Sequence, residues 1–357
     1  MNNKVASETA LSYDDVLIQP EYSNVSRSSI DITPRPIGHL RPKIPIISSC
    51  MDTITELDMY NEMRRLGGFG VLHRYKDWTE EFDSHASFLL QAVPIAIGTW
   101  DSHSMTIKYF VDRMARMLVI DVAHGAHENA IDTIYRIKKR SNYTQVIAGN
   151  IATVAGAHQA LDAGACALRV GVGPGSACST RVVTGCGTPV LHSLMKIRQA
   201  LPDAILIADG GIRSSGDIAK AIVAGADYVM IGGLLAGTDE SPGEILERPT
   251  SFYMDAGVQG GGWMQGKPEK YKIYRGMASY TAQTEGNGKA PKNVIEEGEE
   301  FHIPCIGPVR KVINKLIGGL KQAMFYAGSN TLQELSESTF VQITEAGRVE
   351  GTPHGKK

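Results

Sequence analysis

The chain has 357 residues, and 36 lysines and arginines against 38 aspartates and glutamates leave a formal net charge of -2. This balance excludes a basic chain whose main partner is nucleic acid, and no stretch approaches the roughly 20 apolar residues that cross a bilayer. The N-terminal stretch has no apolar signal-peptide core, and the five cysteines are too scattered for a disulfide scaffold. We therefore expect a cytoplasmic globular enzyme with reduced thiols and with neither a nucleic-acid nor a membrane partner.

Short apolar runs recur about every 25 residues between segments of helical pattern, as in a repeated strand-helix unit. Eight such runs are IPIISSC (44–50), GFGVLH (68–73), VPIAIGT (93–99), MLVIDVA (117–123), QVIAGNI (145–151), ALRVGVG (167–173), AILIADGG (204–211) and YVMIGGLL (228–235). Eight units predict an α/β fold, a (β/α)8 TIM barrel, with its active site at the carboxyl ends of the strands. A doubly wound sheet is the alternative, although it usually has fewer strands and a second domain.

The pattern changes after the eighth run. Residues 236–308 are rich in Gly, Glu, Lys and Pro, and helical periodicity resumes only over Val309–Tyr326. A glycine-rich, charged stretch of this length in a compact enzyme is typical of a mobile flap. We predict a single barrel domain over residues 1–357, with a flap over about 255–303 and a C-terminal segment over 304–357.

The loop GVGPGSACST, residues 171–180, follows the sixth run. Its glycines read G-x-G-x-G, which does not match the dinucleotide-binding fingerprint. Cys178 lies in this loop at the catalytic end of the strand, where backbone N–H groups and hydroxyls stabilise a thiolate, so the loop favours a nucleophile. The carbonyls of the loop also suit a monovalent cation. The other cysteines, Cys50, Cys166, Cys186 and Cys305, are expected to be small buried hydrophobic residues.

Carboxylates and glycines mark other strand ends. Asp121 closes the fourth run, where it holds a ribose hydroxyl, orients an amide or caps a helix. His124 and His127 follow it, but no third ligand accompanies them, which disfavours a zinc site. The seventh run ends in Asp209-Gly210-Gly211 and the eighth strand ends at Gly232-Gly233, the two strand ends where barrels commonly bind phosphate. Because glycines let backbone N–H groups approach phosphate oxygens, these ends predict a phosphorylated ligand.

Segments spread over almost the whole chain resemble the family of IMP dehydrogenase and GMP reductase. They are LSYDDVLIQP, PIISSCMDTIT, GGFGVLHRY, DVAHG, VIAGNIAT, GVGPGSACSTR, ADGGIRSSGDIAKA, GADYVMIGG, YRGMAS and GPVRKVINKLIGGLKQAM. The resemblance implies a (β/α)8 barrel that forms a homotetramer and binds a purine nucleotide and a nicotinamide cofactor. It also implies that Cys178 attacks carbon 2 of the purine, giving a covalent thioimidate through which hydride passes. No CBS-type regulatory domain is inserted after the second run, where the dehydrogenases usually carry one.

The flap bears on which reaction the resemblance implies. Dehydrogenases of the family use an Arg-Tyr pair there to activate the hydrolytic water, and residues 280–302 contain no arginine. Reductases use a glutamate just before the end of the flap. Glu297 falls at the matching place and, with Thr180, would pass a proton to a departing amino group. Gly232-Gly233 also resembles the reductases, whereas SPGE (241–244), EAGRVEGTPH (345–354) and Asn293-Val294 depart from them.

The resemblance thus implies NADPH-dependent reductive deamination of GMP to IMP and ammonia. The alternatives are NAD-dependent oxidation of IMP to XMP and a non-catalytic barrel that binds purine nucleotides. The implied catalytic residues are Cys178, Thr180 and Glu297, and the implied substrate-binding residues are Ser176, Asp209, Gly210, Gly211, Gly232, Gly233, Gly276, Met277 and Ala278. The implied cofactor contacts are Ser26, Arg27, Arg74, Asp121, Val122, Ala123, Val172, Gly173 and Met277. A potassium ion is implied on the carbonyls of Gly173, Gly175 and Cys178, completed by a neighbouring copy's segment near Glu350.

Overall fold

Eight parallel strands form a closed barrel in the computed structural model, which describes residues 8–84, 92–249, 251–254, 262–265, 268–286 and 295–353. In chain order they are β1 (Ile46–Ser48), β2 (Phe69–Gly70), β3 (Ile95–Ile97), β4 (Met117–Ile120), β5 (Gln145–Ile151), β6 (Ala167–Val170), β7 (Leu206–Asp209) and β8 (Tyr228–Ile231). Neighbours around the sheet are β2, β1, β8, β7, β6, β5, β4 and β3. Backbone hydrogen bonds of Leu72 with Pro94 and Ala96, at 3.0 and 2.8 Å, join β2 to β3 and close the ring. The predicted barrel is confirmed.

The strands are buried on both faces because their runs are apolar throughout. Every residue of β4, β6 and β8 is buried. Alternate side chains, such as Ile47, Val119 and Ile207, fill the barrel interior, and the others pack beneath the helices. This two-layer core holds the strand ends, and the loops that leave them, in fixed positions.

Helices follow the strands and cover the barrel. Among the described residues they span Leu57–Arg65, Thr79–Ser84, Trp100–Asp112, Glu128–Arg140, Val154–Asp162, Thr180–Thr184, Val190–Ala200, Ser215–Val223, Tyr280–Gly286, Val309–Ala327, Leu332–Ser336 and Glu345–Glu350, with a 3-10 turn at Tyr13–Asp15. The side chains of Thr153, Ser214 and Thr331 each accept a backbone N–H of the helix they precede. No helix in the described ranges is long and apolar enough to cross a membrane.

The region after β8 adds antiparallel sheet beside the mouth of the barrel. Leu246–Arg248, Glu269–Arg275 and Glu300–Pro304 form one sheet, with Glu269–Arg275 in the middle. Ser251–Met254 pairs with Gly262–Gln265. Residues 255–261, 266–267 and 287–294 of the predicted flap lie outside the described residues, so the flap and its boundaries stay predictions.

The two ends of the described chain meet on one side of the barrel. Val16–Ile18 pairs with Phe340–Gln342 in a separate antiparallel ladder. Ile343 donates a backbone hydrogen bond to Asp15 at 2.9 Å, which places the turn Tyr13–Asp15 against the C-terminal segment. This arrangement fixes the residues that precede the barrel next to its open mouth.

Candidate active site

The loop of residues 171–179 leaves β6 and turns back over the barrel mouth. Gly171 has a φ of 149°, and a Cβ atom there would lie 2.2 Å from the carbonyl oxygen of Asp209. Only glycine allows so close an approach of the loop to the end of β7. Within the loop, the Cys178 N–H donates to the Gly175 carbonyl at 3.0 Å. This turn presents Cys178 to a cavity of about 300 Å³ at the carboxyl ends of the strands.

Cys178, Thr180 and Glu297 form a continuous hydrogen-bonded chain. The Cys178 thiol donates to Thr180 Oγ1 at 3.1 Å, and Thr180 Oγ1 donates to Glu297 Oε2 at 2.7 Å. Thr180 is only 8% exposed. A hydroxyl accepts one proton while it donates another, so the chain can carry a proton between thiol and carboxylate. The structure thus brings together three side chains that the sequence predicts to be catalytic, two of them 117 positions apart.

The backbone around Glu297 is docked on the cysteine loop. Ser179 N–H donates to the Glu297 carbonyl at 2.9 Å, and Glu297 N–H donates to the Ala278 carbonyl at 3.1 Å. Gly276 lies so close beneath this layer that a Cβ atom there would be 2.3 Å from the Ala177 carbonyl oxygen. The position of the Glu297 carboxyl group therefore depends on three backbone segments stacked against one another.

A buried arginine joins the two carboxylates predicted to bind substrate and cofactor. Arg169 Nη2 donates to Asp209 Oδ2 at 2.7 Å, and Arg169 Nη1 donates to Asp121 Oδ1 at 3.0 Å. Asn150 Nδ2 also donates to Asp209 Oδ2, at 2.9 Å. Burial opposes the ionisation of Asp121, but the charges of Arg169 and Arg74 outweigh it and lower the pKa of Asp121 below its ordinary value. Asp121 therefore stays ionised and shares a cation with Asp209.

The other four cysteines meet the expectation of burial unequally, because Cys50 is buried, Cys166 and Cys305 are half-buried and Cys186 is exposed. Cys50 is buried, but it also borders the Cys178 cavity and donates to Asp121 Oδ1 at 3.3 Å. Burial raises the pKa of the Cys50 thiol, so it remains a protonated donor. The expectation is wrong for Cys186, which is exposed because it lies in the surface turn after the helix Thr180–Thr184.

The segment Gly276-Met277-Ala278 is held in the wall of the same cavity by neighbouring side chains. Tyr75 OH donates to the Met277 carbonyl at 2.6 Å. Arg275 binds Asp52 Oδ2 through Nε at 2.9 Å and through Nη2 at 2.6 Å. These contacts fix the end of the strand Glu269–Arg275 against the loop after β1.

The Cys178 cavity shares walls with a larger cavity of about 860 Å³, and Asp209, Gly210 and Tyr274 border both. Cys178, Thr180 and Glu297 border the smaller cavity only. The predicted substrate residues that border only the larger one are Ser176, Gly211, Gly232 and Gly233. The site is therefore elongated, with the reactive groups at one end and the glycine-rich strand ends at the other.

Hydroxyl groups line the glycine-rich end of the site, and one of them, on Ser49, has no hydrogen-bond partner in the described part of the chain. Ser176 Oγ bonds to Tyr274 OH at 2.9 Å, and a Cβ atom at Gly233 would lie 2.9 Å from Ser176 Oγ. Ser49 Oγ lies 3.0 Å from where a Cβ atom of Gly232 would be, and it is buried without a hydrogen-bond partner in the described part of the chain. Hydroxyls beside open glycine backbone are suited to an anionic oxygen ligand.

Some predicted cofactor contacts lie elsewhere. Val122, Ala123 and Gly173 border the Cys178 cavity, but Val172, Ser26 and Arg27 border neither cavity. The Val172 carbonyl accepts a hydrogen bond from Arg181 Nε at 3.0 Å. The Arg27 guanidinium stacks on the ring of Phe325, 4.9 Å from its centre. The cofactor roles of Ser26, Arg27 and Val172 stay predictions.

His127 has a structural partner at the start of a helix. Its Nδ1 accepts the N–H of Asn129 at 3.1 Å, which caps the helix Glu128–Arg140. In the described ranges, no three His, Cys, Asp or Glu side chains are grouped as metal ligands. This observation does not bear on a potassium ion, which takes backbone carbonyl oxygens. The Gly175 carbonyl accepts a hydrogen bond from the Cys178 N–H, and the potassium site on the carbonyls of this loop stays a prediction.

Sequence reasoning missed several groups that border the site, namely Ser49, Cys50, Tyr75, Asn150, Arg169 and Tyr274. The sequence does mark Arg169 as unusual, because it is the one charged residue in the apolar run ALRVGVG. A charge in a strand buried on both faces requires a charged partner. Tyr274 had a weaker signal, which was its place in the segment YRGMAS beside the implied substrate-binding residues Gly276 and Met277.

The chain matches the sequence model of the family described as IMP dehydrogenase / GMP reductase domain over residues 10–354. It is 42% identical to the inosine-5'-monophosphate dehydrogenase of Rhizobium tropici over 270 residues, which are 72% of this chain and 51% of that protein. The chain therefore spans about half the length of that relative. The Cryptosporidium parvum enzyme of the same name is 33% identical over 96% of this chain and 94% of its own length.

Among solved structures, a GMP reductase from Trypanosoma brucei in complex with guanosine 5'-monophosphate is similar to the whole chain. The alignment covers 100% of both chains, with a TM-score of 0.87 and 27% sequence identity. The sequence relatives and the structural relative thus carry different activities in their names.

Proposed function

The chain belongs to the IMP dehydrogenase/GMP reductase family, and from that premise we propose that it catalyses the NADPH-dependent reductive deamination of GMP to IMP and ammonia. The hydrogen-bonded chain Glu297–Thr180–Cys178 carries the proposal, because it can protonate an amine leaving from the carbon that the thiol attacks. The lack of arginine over residues 280–302 supports the same reaction, because the water-activating pair expected of a dehydrogenase has no counterpart there.

In the proposed reaction, the Cys178 proton passes through Thr180 to the Glu297 carboxylate. The thiolate then bonds to carbon 2 of the purine, the bond from carbon 2 to the amino nitrogen breaks, and Glu297 returns the proton so that the amine leaves as ammonia. NADPH, when bound, supplies the hydride that replaces sulfur at carbon 2. The released thiolate takes up a proton from solvent, so the sum is GMP, NADPH and a proton giving IMP, ammonia and NADP.

The site supports this assignment of ligand groups. The phosphate would bind at Ser176 and the glycines of β7 and β8, and Asp209 would hold the ribose. Asp121 and Arg74 would face the nicotinamide side. Arg74 Nε is 3.5 Å from Asp121 Oδ2 and is buried with no hydrogen-bond partner in the described part of the chain, which suits a polar cofactor group at the wall of the Cys178 cavity. The homotetramer, the cytoplasmic location and the potassium ion belong to the same proposal.

The oxidation of IMP to XMP with NAD is a second candidate. It is favoured by the names of the sequence relatives, two of which align with nearly the whole chain at 33% and 32% identity. This reaction needs a group that activates water to hydrolyse the thioimidate, and Glu297 would have to supply it.

One assay separates the candidates. Purified protein is mixed with GMP and NADPH, and separately with IMP and NAD, while the absorbance of the reduced cofactor and the release of ammonia are followed. We expect loss of NADPH with an equal amount of ammonia in the first mixture. Formation of NADH in the second mixture alone would establish the dehydrogenase, and binding without turnover in both would indicate a non-catalytic barrel.

The Cys178→Ala variant tests the covalent step. It should abolish turnover and leave GMP affinity nearly unchanged, because the thiol makes its bond to the purine only during reaction. Cys186→Ala is the matched control, since Cys186 is exposed and borders neither cavity. Turnover retained by Cys178→Ala would rule out the thioimidate.

A further inference from the structure

Tyr13 has a buried hydroxyl group that the proposed mechanism does not use. The residue is 5% exposed, and its OH has no hydrogen-bond partner in the described ranges. Tyr13 borders the larger cavity together with Gly210 and Gly211. A buried hydroxyl without a partner costs free energy, so one in the wall of a binding cavity points to a ligand that supplies the missing bond.

The position of Tyr13 is set by contacts that do not involve its hydroxyl. Lys220 Nζ donates to the Tyr13 carbonyl at 2.8 Å, and Arg213 forms an ion pair with the adjacent Asp14. The Ser12 N–H donates to Asp15 Oδ2 at 2.7 Å and closes the 3-10 turn. The phenol is therefore oriented before any ligand binds, which keeps the entropic cost of using it low.

The neighbours of Tyr13 indicate which end of a nucleotide it would meet. The ring lies beside Gly211, because a Cβ atom at Gly211 would be 3.5 Å from Tyr13 Cε2. Tyr13 borders only the larger cavity, like Ser176, whereas Cys178 borders only the smaller one. With the purine held at Cys178, the opposite end of the ligand is its phosphate.

The Tyr13 hydroxyl stays protonated and can therefore donate a hydrogen bond to an anion. Burial, together with the nearby carboxylates of Asp217 and Asp209, raises the pKa of the phenol well above its ordinary value. The hydroxyl therefore keeps its proton at any working pH. It can donate to a phosphate oxygen, and a charge-assisted hydrogen bond of this kind is stronger than one between neutral groups.

We propose that the Tyr13 hydroxyl donates a hydrogen bond to the phosphate of the bound nucleotide and so completes the cradle formed by Ser176 and the glycines of β7 and β8. This inference rests on the proposed function for the identity of the ligand. It adds a residue from outside the barrel, ahead of β1, to a binding site otherwise built from strand ends and the loops that follow them.

The test compares Tyr13→Phe with the wild type by calorimetry with GMP and with guanosine, and by thermal unfolding without ligand. Loss of one hydrogen bond to a charged group should raise the Kd for GMP about tenfold and leave the Kd for guanosine unchanged. The melting temperature of the free protein should not fall, because the hydroxyl makes no bond there. Tyr60→Phe is the control: Tyr60 OH donates to the Ala92 carbonyl at 2.9 Å away from both cavities, so its loss should lower the melting temperature and leave both Kd values unchanged.

Three other results of these measurements would each overturn part of the proposal. An unchanged Kd for GMP in Tyr13→Phe overturns the inference but leaves the proposed function intact, because the wild type still binds GMP. An equal loss of affinity for guanosine overturns the assignment to the phosphate. Failure of the wild type to bind GMP or IMP overturns the proposed function and, with it, this inference.

Discussion

At the scale of single residues, Glu296 and Glu297 are neighbours with identical side chains but different surroundings. Glu296 is exposed, whereas the carboxyl group of Glu297 accepts the hydroxyl of Thr180 at 2.7 Å. Both lie in one acidic run, which composition alone would assign to a solvated surface. The difference arises because the backbone of Glu297 is bonded on both sides, to Ser179 and to Ala278.

Replacement of the two glutamates tests the proton relay. Glu297→Gln keeps the hydrogen-bonding shape but cannot exchange a proton, so we expect kcat for GMP reduction to fall about hundredfold or more with little change in GMP affinity. Steady-state kinetics and calorimetry measure the two effects.

Glu296→Gln is the matched control, since it removes the same charge one residue away and should leave kcat unchanged. Equal kcat values for Glu297→Gln and the wild type would show that the relay does not limit the reaction. An equal loss of kcat in both variants would show that the charge of the segment, and not proton transfer by Glu297, causes the effect.

At the scale of structural elements, the site depends on the packing of backbone against backbone. The segment that carries Glu297 pairs with the cysteine loop through the bridge between Cys178 and Gly298, and Gly276 lies against both. Such packing leaves no room for side chains at the contact. The region after β8 thereby becomes part of the active site.

Gly276→Ala should separate these segments. The added Cβ atom would lie 2.3 Å from the Ala177 carbonyl oxygen and 3.1 Å from Gly298 Cα, so the backbone must shift. We expect the unfolding free energy to fall by about 1 to 3 kcal/mol and kcat to fall along with it, measured by denaturant titration and steady-state kinetics.

The control for that substitution is Gly318→Ala. Gly318 lies in the helix Val309–Ala327, and nothing is within 4 Å of a Cβ atom there, so alanine should stabilise the protein by about 1 kcal/mol without affecting kcat. Wild-type kcat in Gly276→Ala would show that Glu297 reaches Thr180 without this close packing.

At the scale of the whole molecule, Asp227 links several segments by hydrogen bonds and ion pairs at the amino end of the barrel. Its carboxylate accepts hydrogen bonds from Arg35, from Arg198 and from the backbone N–H of Leu206. The Asp227 side chain is 8% exposed. These bonds connect the segment before β1, the helix Val190–Ala200 and β7, at the opposite end of the strands from Cys178.

Asp227→Ala should therefore affect stability and leave catalysis unchanged. Removal of the carboxylate leaves Arg35 and Arg198 their backbone carbonyl partners but takes away the anion that balances their charge, and we expect a loss of about 3 kcal/mol of unfolding free energy in denaturant titration. At temperatures where the variant is folded, kcat should equal that of the wild type.

Asp132→Ala breaks an exposed ion pair with Arg136 and should cost less than about 0.5 kcal/mol. Similar losses of unfolding free energy in Asp227→Ala and Asp132→Ala would contradict the view that burial strengthens the ion pairs of Asp227.

Much of the fold was predictable because strand patterning is local. Each of the eight apolar runs contains one barrel strand, and the helix predicted over Val309–Tyr326 is observed over Val309–Ala327. The sheet formed by Leu246–Arg248, Glu269–Arg275 and Glu300–Pro304 was not predicted. Its strands are partly exposed and separated by long connections, so neither a continuous apolar run nor a short hairpin turn marks them.

The barrel, the strand ends and the cysteine loop could all be predicted from the sequence, because each depends on the order of apolar residues and glycines within about ten positions. The contacts between distant groups became visible only in the folded chain: Glu297 at Thr180, Arg169 between Asp121 and Asp209, and Tyr13 beside Gly211. The physical reason is that closing the ring brings together strand ends and loops that are far apart in the chain. Hydrogen bonds and ion pairs act over a few ångströms in space, whatever the separation along the sequence.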